Sequence, residues 1–302
     1  MNYLPLITVI INCYNGEKFL SKCVKNILNQ TYKNFEVIFW NNKSDDNSLT
    51  IVKQYNDKRI KIFNSKTHTN LSKARNNALK KAVGEYICFL DVDDYWDKKK
   101  LENQIKSFKN KEIGFSFTNF WYVKKYKKVN EKKKVNLQFE NGFTNKIIKR
   151  YEIVLSSIMF KKDILKKIKG PFNDKYHVIG DFDLTLKLSL ITKFNHQKEH
   201  LTFRCWHGKN ESIEKRENAV WEIEDWLKEN ENNFDKYQNE INFLKNHIFY
   251  DKLNFLIKKK KFIKAIIFFL NGKINFKLNY VKNIFLWLFK QIILGKPKND
   301  HS

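Results

Sequence analysis

The segment Ile7-Thr8-Val9-Ile10-Ile11 leaves this chain few architectures. An unbroken apolar and β-branched run suits a strand covered on both faces, as in parallel sheets packed between helix layers. The run stops at Asn12-Cys13-Tyr14-Asn15-Gly16, a turn signal, after which Phe19, Leu20, Cys23, Val24, Ile27 and Leu28 recur at helical spacing. The pattern then repeats. Phe35 to Trp40 reads as a second strand, ending at Asn41-Asn42-Lys43-Ser44-Asp45-Asp46, where Ser44 or Asp46 can cap a helix carrying Leu49, Ile51 and Val52. Ile60 to Phe63 is a third strand, Ala74 to Val83 a helix stopped by Gly84, and Tyr86 to Leu90 a fourth strand. Strands alternating with helices predict an α/β fold: a Rossmann-like, mostly parallel open sheet with flanking helices.

Ligands of such sheets bind beyond the carboxyl ends of the strands. The segments there are Asn12 to Gly16, Asn41 to Asp46, and Asp91-Val92-Asp93-Asp94, all polar. The last follows Tyr86-Ile87-Cys88-Phe89-Leu90 without a spacer, so its carboxylates emerge where a buried strand opens to solvent. Carboxylates so placed can bind Mg²⁺ or Mn²⁺, which share one or two of them with phosphate oxygens and water. An ion held there would neutralise a diphosphate leaving group. The same acids could equally form a solvated turn capping a helix over Lys98 to Phe108.

Further along, the lysine-rich stretch Tyr122 to Lys134 has no clear apolar period and reads as a mobile loop or hairpin. Ser156 to Phe160 reads as a strand and Gly170-Pro171 as a turn, and Asp181-Phe182-Asp183-Leu184 opens an amphipathic helix. Composition shifts after about His207: residues 211 to 250 hold ten acids and five bases, whereas 251 to 302 hold twelve lysines and two acids. The expected division is an α/β domain over 1–210 and a helical, basic region over 211–302.

A length of 302 residues accommodates that arrangement, and the formal charge of +26 narrows the class. Only five of the basic residues are arginines, whereas sequence-specific nucleic-acid readers lean on arginine forks at guanine edges. The lysine excess therefore weakens a nucleic-acid-binding reading and suits AT-rich coding with an added attraction to anionic surfaces. Cys13, Cys23, Cys88 and Cys205 are widely spaced without a CxxC pair, which indicates neither a zinc knuckle nor a disulfide framework, and a reducing compartment follows. Met1 to Ile11 lacks the order of a secretory leader, and lysines break each C-terminal apolar run before it could span a bilayer. A cytoplasmic protein is expected, able to lie on the inner face of the membrane.

Five ordered motifs carry a resemblance: Ile7-Thr8-Val9-Ile10-Ile11 to Asn15; Leu28 to Glu36; Asn42 to Ser48; Leu71-Ser72-Lys73-Ala74-Arg75-Asn76; and Gly84-Glu85-Tyr86 to Asp94. Their order and spacing resemble those of family-two glycosyltransferases. The likeness continues through Ser156-Ser157 and Gly180-Asp181-Phe182-Asp183-Leu184 to Arg204-Cys205-Trp206-His207-Gly208, and so covers about the first 210 residues. It implies a GT-A fold, a nucleotide-diphosphate sugar as donor, a divalent cation (Mn²⁺ or Mg²⁺), and an acceptor that is a glycan or lipid-linked saccharide of bacterial surface polysaccharide or lipooligosaccharide. Carried over by position, Tyr14 would lie against the nucleobase, with Cys13 and Asn15 lining the same pocket and Asn41 at its base-reading position. Arg75 would meet the ribose or diphosphate, Asp91 the ribose side of the donor, and Asp93 the metal, with Asp94 close by. His207 would reach the diphosphate or metal, and Asp181 would be the general base of an inverting transfer, with Asp183 as its neighbour.

Departures accompany the matches. Asn12 stands where the family commonly has Pro, Asn41 where it has Asp, Gly180 where an acid is frequent, and Lys187 where Arg is. A carboxamide at Asn41 can donate as well as accept, which opens the choice of base. Two other readings stay in play: a homologue that binds nucleotide sugar without turnover, and, as a minor rival, a nucleic-acid-binding protein.

In the tail, Phe262, Ala265, Ile266, Phe269 and Leu270 follow helical spacing after Lys258-Lys259-Lys260-Lys261, and Val281, Ile284, Phe285, Leu288, Phe289, Ile292 and Ile293 do the same. This reads either as a basic interfacial anchor on anionic lipid or as a helical hairpin closing over the catalytic domain or a partner.

Overall fold

A computed structural model describes residues 3–126, 129–138, 142–208 and 210–271. The chain divides by its own contacts into two units, Met1–Lys245 and Asn246–Ser302. In the first, β1 (Ile7–Cys13), α1 (Glu17–Leu28), β2 (Phe35–Asn41), α2 (Ser48–Lys53), β3 (Ile60–Asn64), α3 (Leu71–Leu79) and β4 (Tyr86–Phe89) follow the expected alternation. After them come β5 (Tyr95–Trp96), α4 (Lys100–Ile105), β6 (Ile113–Tyr126), β7 (Val129–Val135), α5 (Phe143–Lys149) and β8 (Met159–Lys161). The unit continues with α6 (Gly180–Ile191), β9 (Lys193–Trp206), α7 (Glu211–Glu214) and α8 (Arg216–Asn230), and runs into α9 (Gln238–Lys258).

The described strands form a nine-stranded sheet of order β3-β2-β1-β4-β8-β6-β9-β5, with β7 paired to β6. The β3-β2-β1-β4 half is parallel and the other half mixed. Because β1 lies between β2 and β4, the chain reverses direction across the sheet there, and in open α/β sheets ligands bind at such a switch point, here the carboxyl ends of β1 and β4. β1 and β2 are apolar enough to be buried on two faces: all of β2 is buried, and all of β1 but Asn12. Ile7, Val9, Ile11, Val37 and Phe39 join Leu20, Val24 and Ile27 of α1 in the main core.

On the opposite face a charge is built in. Glu36, 4% exposed, accepts from Thr8 Oγ1 at 2.6 Å, Lys61 Nζ at 2.7 Å and Val83 N at 2.8 Å. It ties three strands to the turn before β4. Gly84 is required in that turn: a Cβ would come within 2.7 Å of Thr8 N and 2.8 Å of Leu6 O.

Several boundaries differ from expectation, each for a local reason. α3 begins three residues early because Asn70 accepts from Lys73 N at 2.9 Å as its N-cap, and it ends at Leu79, well before Gly84. Ser156 and Ser157 lie in a 3-10 turn, and β8 starts only at Met159. The helix expected from Lys98 spans Lys100–Ile105 and tightens into a 3-10 turn. Of the two alternatives for Tyr122 to Lys134, β6 and β7 form the hairpin, with Tyr126 opposite Val129. The long β6–β9 pair was not anticipated. β9 carries a polar sequence, and its parallel register with β6 shifts around Asn119, which breaks the two-residue alternation a strand would show.

In the second unit, the end of α9 packs Leu253 and Ile257 against Ala265 of α10 (Phe262–Leu270). The apolar repeat from Val281 to Ile293 lies outside the described residues.

Candidate active site

The loops after β1 and β2 are stitched into one surface. Asp46 Oδ2 accepts from Glu17 N and its Oδ1 from Ser48 N, both at 2.9 Å, so one carboxylate serves the first turns of both α1 and α2. Neither Ser44 nor Asp46 occupies the N-cap position of α2, which is Asn47. Asn15, at a positive φ of 53°, accepts from Asp45 N at 3.0 Å and donates its own N–H to Ser44 Oγ at 3.1 Å. Cys13 is buried beneath this junction, and burial pushes its thiol pKa up.

Asn41 is 5% exposed and already engaged: its Oδ1 accepts from Ser44 N, and its Nδ2 donates to Asn64 Oδ1, each at 3.0 Å. Tyr14 projects outward with half its surface exposed, its ring centroid 4.0 Å from that of His68. His68 is oriented through Nδ1, 3.1 Å from Asn42 O. The Asn12 carboxamide and Trp40 Nε1 are buried and, among the described residues, without a hydrogen-bond partner; the two residues are register partners across β1 and β2.

The acidic turn after β4 sends three carboxylates in three directions. Asp91 Oδ1 faces the nearly buried Arg75 at 3.4 Å, while its side chain stays 45% exposed. Asp93 Oδ2 lies 3.1 Å from His207 Nε2 and accepts from Asn210 Nδ2 at 3.0 Å. Asp94 turns inward, accepting from Ser156 Oγ at 2.5 Å and Cys205 N at 2.9 Å, and so fastens the turn to the end of β9. Burial, then the charges of its neighbours, raise the carboxyl pKa of Asp94 well above the usual range; burial and Asp91 raise that of Asp93 against the opposing pull of His207. The imidazole of His207 is clamped by a stacked Phe19 ring at 4.7 Å.

Asp93 and His207 thus offer a carboxylate and an imidazole to one point. Among the described residues no three His, Cys, Asp or Glu side chains gather to cage an ion. An octahedral cation that keeps waters and takes substrate phosphate oxygens needs only one or two protein ligands, and a carboxylate–imidazole pair suits Mn²⁺. The residues fit such an ion.

Asp181 stands at the start of α6. Its Oδ1 accepts from Phe182 N at 2.9 Å, and among the described residues no hydrogen bond reaches Oδ2. Burial raises its pKa, opposed by Arg75, the Phe182 N–H and Arg204. Asp183 is committed elsewhere, to Trp226 Nε1 at 3.0 Å and Lys187 Nζ at 2.6 Å. The frequent acid is missing at Gly180 for a steric reason: a Cβ would meet Ser72 Oγ at 2.7 Å and Phe172 at 3.3 Å, with Arg75 Nη1 at 3.9 Å. Arg75 therefore borders both Asp91 and the turn carrying Asp181.

The structure accordingly gathers Arg75 with Asp91, Asp93 with His207, and Cys13, Tyr14, Asn15 and Asn41 around the neighbouring loops. Sequence reasoning missed His68, Asn210 and Glu222. Glu222 of α8 accepts from His177 N, Val178 N and Ile179 N at 2.8, 2.8 and 3.1 Å, and so holds the segment leading into Asp181. Tyr151 was missed as well. Its hydroxyl is 3.1 Å from Thr185 Oγ1, and burial, then the Asp181 charge, raise its pKa well above the usual tyrosine value.

The glycosyl transferase family 2 model matches residues 8–169, more than half of the chain. The chain belongs to that family. Among curated relatives, a UDP-Glc:alpha-D-GlcNAc-diphosphoundecaprenol beta-1,3-glucosyltransferase of Escherichia coli, WfaP, is 31% identical over 63% of this chain and 72% of its own length. Hyaluronan synthase of Pasteurella multocida is 29% identical over 99% of this chain but only 32% of its own length. Among solved structures, a Pyrobaculum calidifontis mannosyltransferase in complex with GDP-Man and Mn²⁺ aligns at a TM-score of 0.63 and 14% identity, over 96% of this chain and 81% of that one. S. aureus TarS with UDP aligns at 0.55 and 24% identity, over 66% and 60%. The family-two member described here therefore has the GT-A fold: a curled α/β sheet with flanking helices.

Proposed function

We propose that this family-two glycosyltransferase moves a sugar, with inversion, from a nucleotide-diphosphate donor to a glycan or lipid-linked acceptor during bacterial surface polysaccharide or lipooligosaccharide assembly, at the inner face of the cytoplasmic membrane. One observation carries the reading: a single turn directs Asp91 to Arg75 and Asp93 to His207, while Asp181 holds an uncommitted oxygen beyond Arg75. The named relatives, which build glycans or lipid-linked saccharides, support the acceptor class.

Donor binding divides among the loops. Tyr14 and His68 supply aromatic faces for the base, with Cys13, Asn15 and Asn41 shaping the pocket floor through the contacts that join the two loops. Asp91 accepts from the ribose hydroxyls, and Arg75 places positive charge beside the diphosphate. Asp93 and His207 would hold Mn²⁺ or Mg²⁺, which when bound supplies charge neutralisation for the departing diphosphate. On the acceptor side, Asp181 Oδ2 takes the acceptor hydroxyl proton as that oxygen bonds to the anomeric carbon. The bond from that carbon to the phosphate oxygen breaks, and nucleoside diphosphate leaves. One base is enough, because no protonated leaving group is needed. Burial makes Asp181 more basic than a solvated carboxylate, against the opposing pull of Arg75, the Phe182 N–H and Arg204.

The reading is tested with a panel of nucleotide sugars, each with and without Mn²⁺ or Mg²⁺. Thermal stabilisation identifies the donor, since a ligand bound only by the folded state raises its apparent stability. Release of nucleoside diphosphate in the presence of acceptor then measures transfer. The expected result is stabilisation by one donor class, enhanced by the cation. A panel in which no nucleotide sugar stabilises the protein or turns over defeats the proposal.

A further inference from the structure

A helix that is apolar all round is normally enclosed on every side. α10, of sequence FIKAIIFFL, is enclosed on one side only. Ala265, fully buried, and the partly buried Phe262, Phe268 and Phe269 pack with Leu253 and Ile257 of α9. Ile263, Ile266, Ile267 and Leu270 point the other way, 76%, 44%, 53% and 73% exposed. Their positions, i, i+3, i+4 and i+7, place them along one stripe. The lysines Lys258, Lys259, Lys260 and Lys261 precede the helix and Lys264 lies within it, all exposed, and the sequence holds no Asp or Glu between Lys252 and Leu270.

We infer that this outer face of α10, with its lysines, is a docking surface for an anionic lipid bilayer. The combination selects the occupant. A protein groove for four aliphatic side chains would gain from their burial alone, whereas a bilayer surface of negative charge also attracts the exposed Lys258, Lys260, Lys261 and Lys264. The helix is about 14 Å long, too short to cross a membrane, and among the described residues no helix is long and apolar enough to do so. It would therefore lie in the plane of the interface, aliphatic stripe towards the acyl chains and lysines at the phosphates. The inference is independent of the transfer chemistry and would hold whatever donor the first unit takes.

The experiment uses the full chain. Sedimentation with phosphatidylcholine vesicles is compared with sedimentation with vesicles that also contain phosphatidylglycerol, at low and high salt. Binding is expected only to the anionic vesicles and is expected to weaken with salt. Each Lys→Gln change among Lys258, Lys260 and Lys261 should lower partitioning about fivefold. Ile263→Ser with Ile267→Ser and Leu270→Ser should lower it at least roughly tenfold at an unchanged melting temperature. A full chain that ignores anionic vesicles overturns the inference, as does equal binding to neutral ones. A triple variant that melts much earlier, or that turns a dimer into a monomer on size exclusion, shows the face covered by protein and overturns it too.

Discussion

The indole N–H of Trp226 donates to Asp183 Oδ1 at 3.0 Å, and Lys187 holds the other oxygen of that carboxylate, so of the two acids opening α6 only Asp181 keeps an oxygen for chemistry. Asp181→Asn is therefore expected to lower turnover by roughly 10²–10⁴ with donor binding and melting temperature largely kept. Asp183→Ala should instead cost about 3 kcal/mol of stability, because it leaves the buried indole N–H without its acceptor and Lys187 without its counter-charge. Steady-state kinetics and thermal melts on the two variants separate the roles; equal loss of turnover without destabilisation in both would contradict the assignment.

As the proposed base, Asp181 should also set the pH dependence of transfer. Burial raises its pKa in the folded state, and a general base works ionised, so kcat/KM should rise with pH through a pKa above the ordinary aspartate value of about 3.9. For stability the sign is opposite. An acid with a raised folded pKa binds more protons folded than unfolded in that window, so its ionisation destabilises the protein as pH rises. Asp181→Asn should remove that penalty and melt no earlier than the parent at neutral pH. A pH–rate profile whose acidic limb lies at or below the ordinary value would exclude Asp181 as the titrating base.

Acid should weaken the first unit in part through two buried or strongly paired carboxylates, Glu36 and Glu211. Burial pushes Glu36 up, but Lys61, Thr8 and the Val83 N–H together leave it below its usual value. Burial likewise opposes ionisation of Glu211, yet His177 and Lys215 hold it down to about 2. Groups with depressed folded pKa values contribute stability above the unfolded value that is lost as pH falls, here from about 4.5 towards about 2. Denaturant midpoints measured across that range should drop. Glu36→Ala should cost about 3 kcal/mol at neutral pH and flatten the drop, since its contribution is already gone.

What the sequence made legible was the parallel half of the sheet and the turns at its carboxyl ends, because strands buried on two faces are written as unbroken apolar runs. Glu36 hid inside such a run, and its buried role follows only from partners distant in sequence, at Thr8, Lys61 and Val83. The same holds at the site. Asp91, Asp93 and Asp181 stand at strand and helix ends that periodicity can locate. Asn210 and Glu222 act through contacts closed by the long β6–β9 pairing and by the packing of α8, which no local pattern encodes. At Asn41, which the resemblance places at the base-reading position, the carboxamide also ties Ser44 to Asn64, a contact set by the neighbouring strand and absent from any local pattern.

Gly180 offers the sharpest steric test of how α3 and α6 meet. It opens α6 at ordinary helical φ, where Gly→Ala would normally stabilise by up to about 1 kcal/mol. Here the added methyl would sit 2.7 Å from Ser72 Oγ, whose hydroxyl is already fixed by donation to Tyr176 O, and beside Arg75. α3 must then move away from α6 and take the Arg75 guanidinium with it. Gly180→Ala is expected to destabilise by roughly 1–3 kcal/mol and to raise the donor KM more than it lowers kcat. Ser72→Ala removes the clashing oxygen, so the double variant should be more stable than the sum of the two single changes requires, with a coupling of about 1 kcal/mol in its favour. Additive single effects in thermal melts, or a Gly180→Ala protein more stable than the parent, would show that α3 and α6 do not press together at this point.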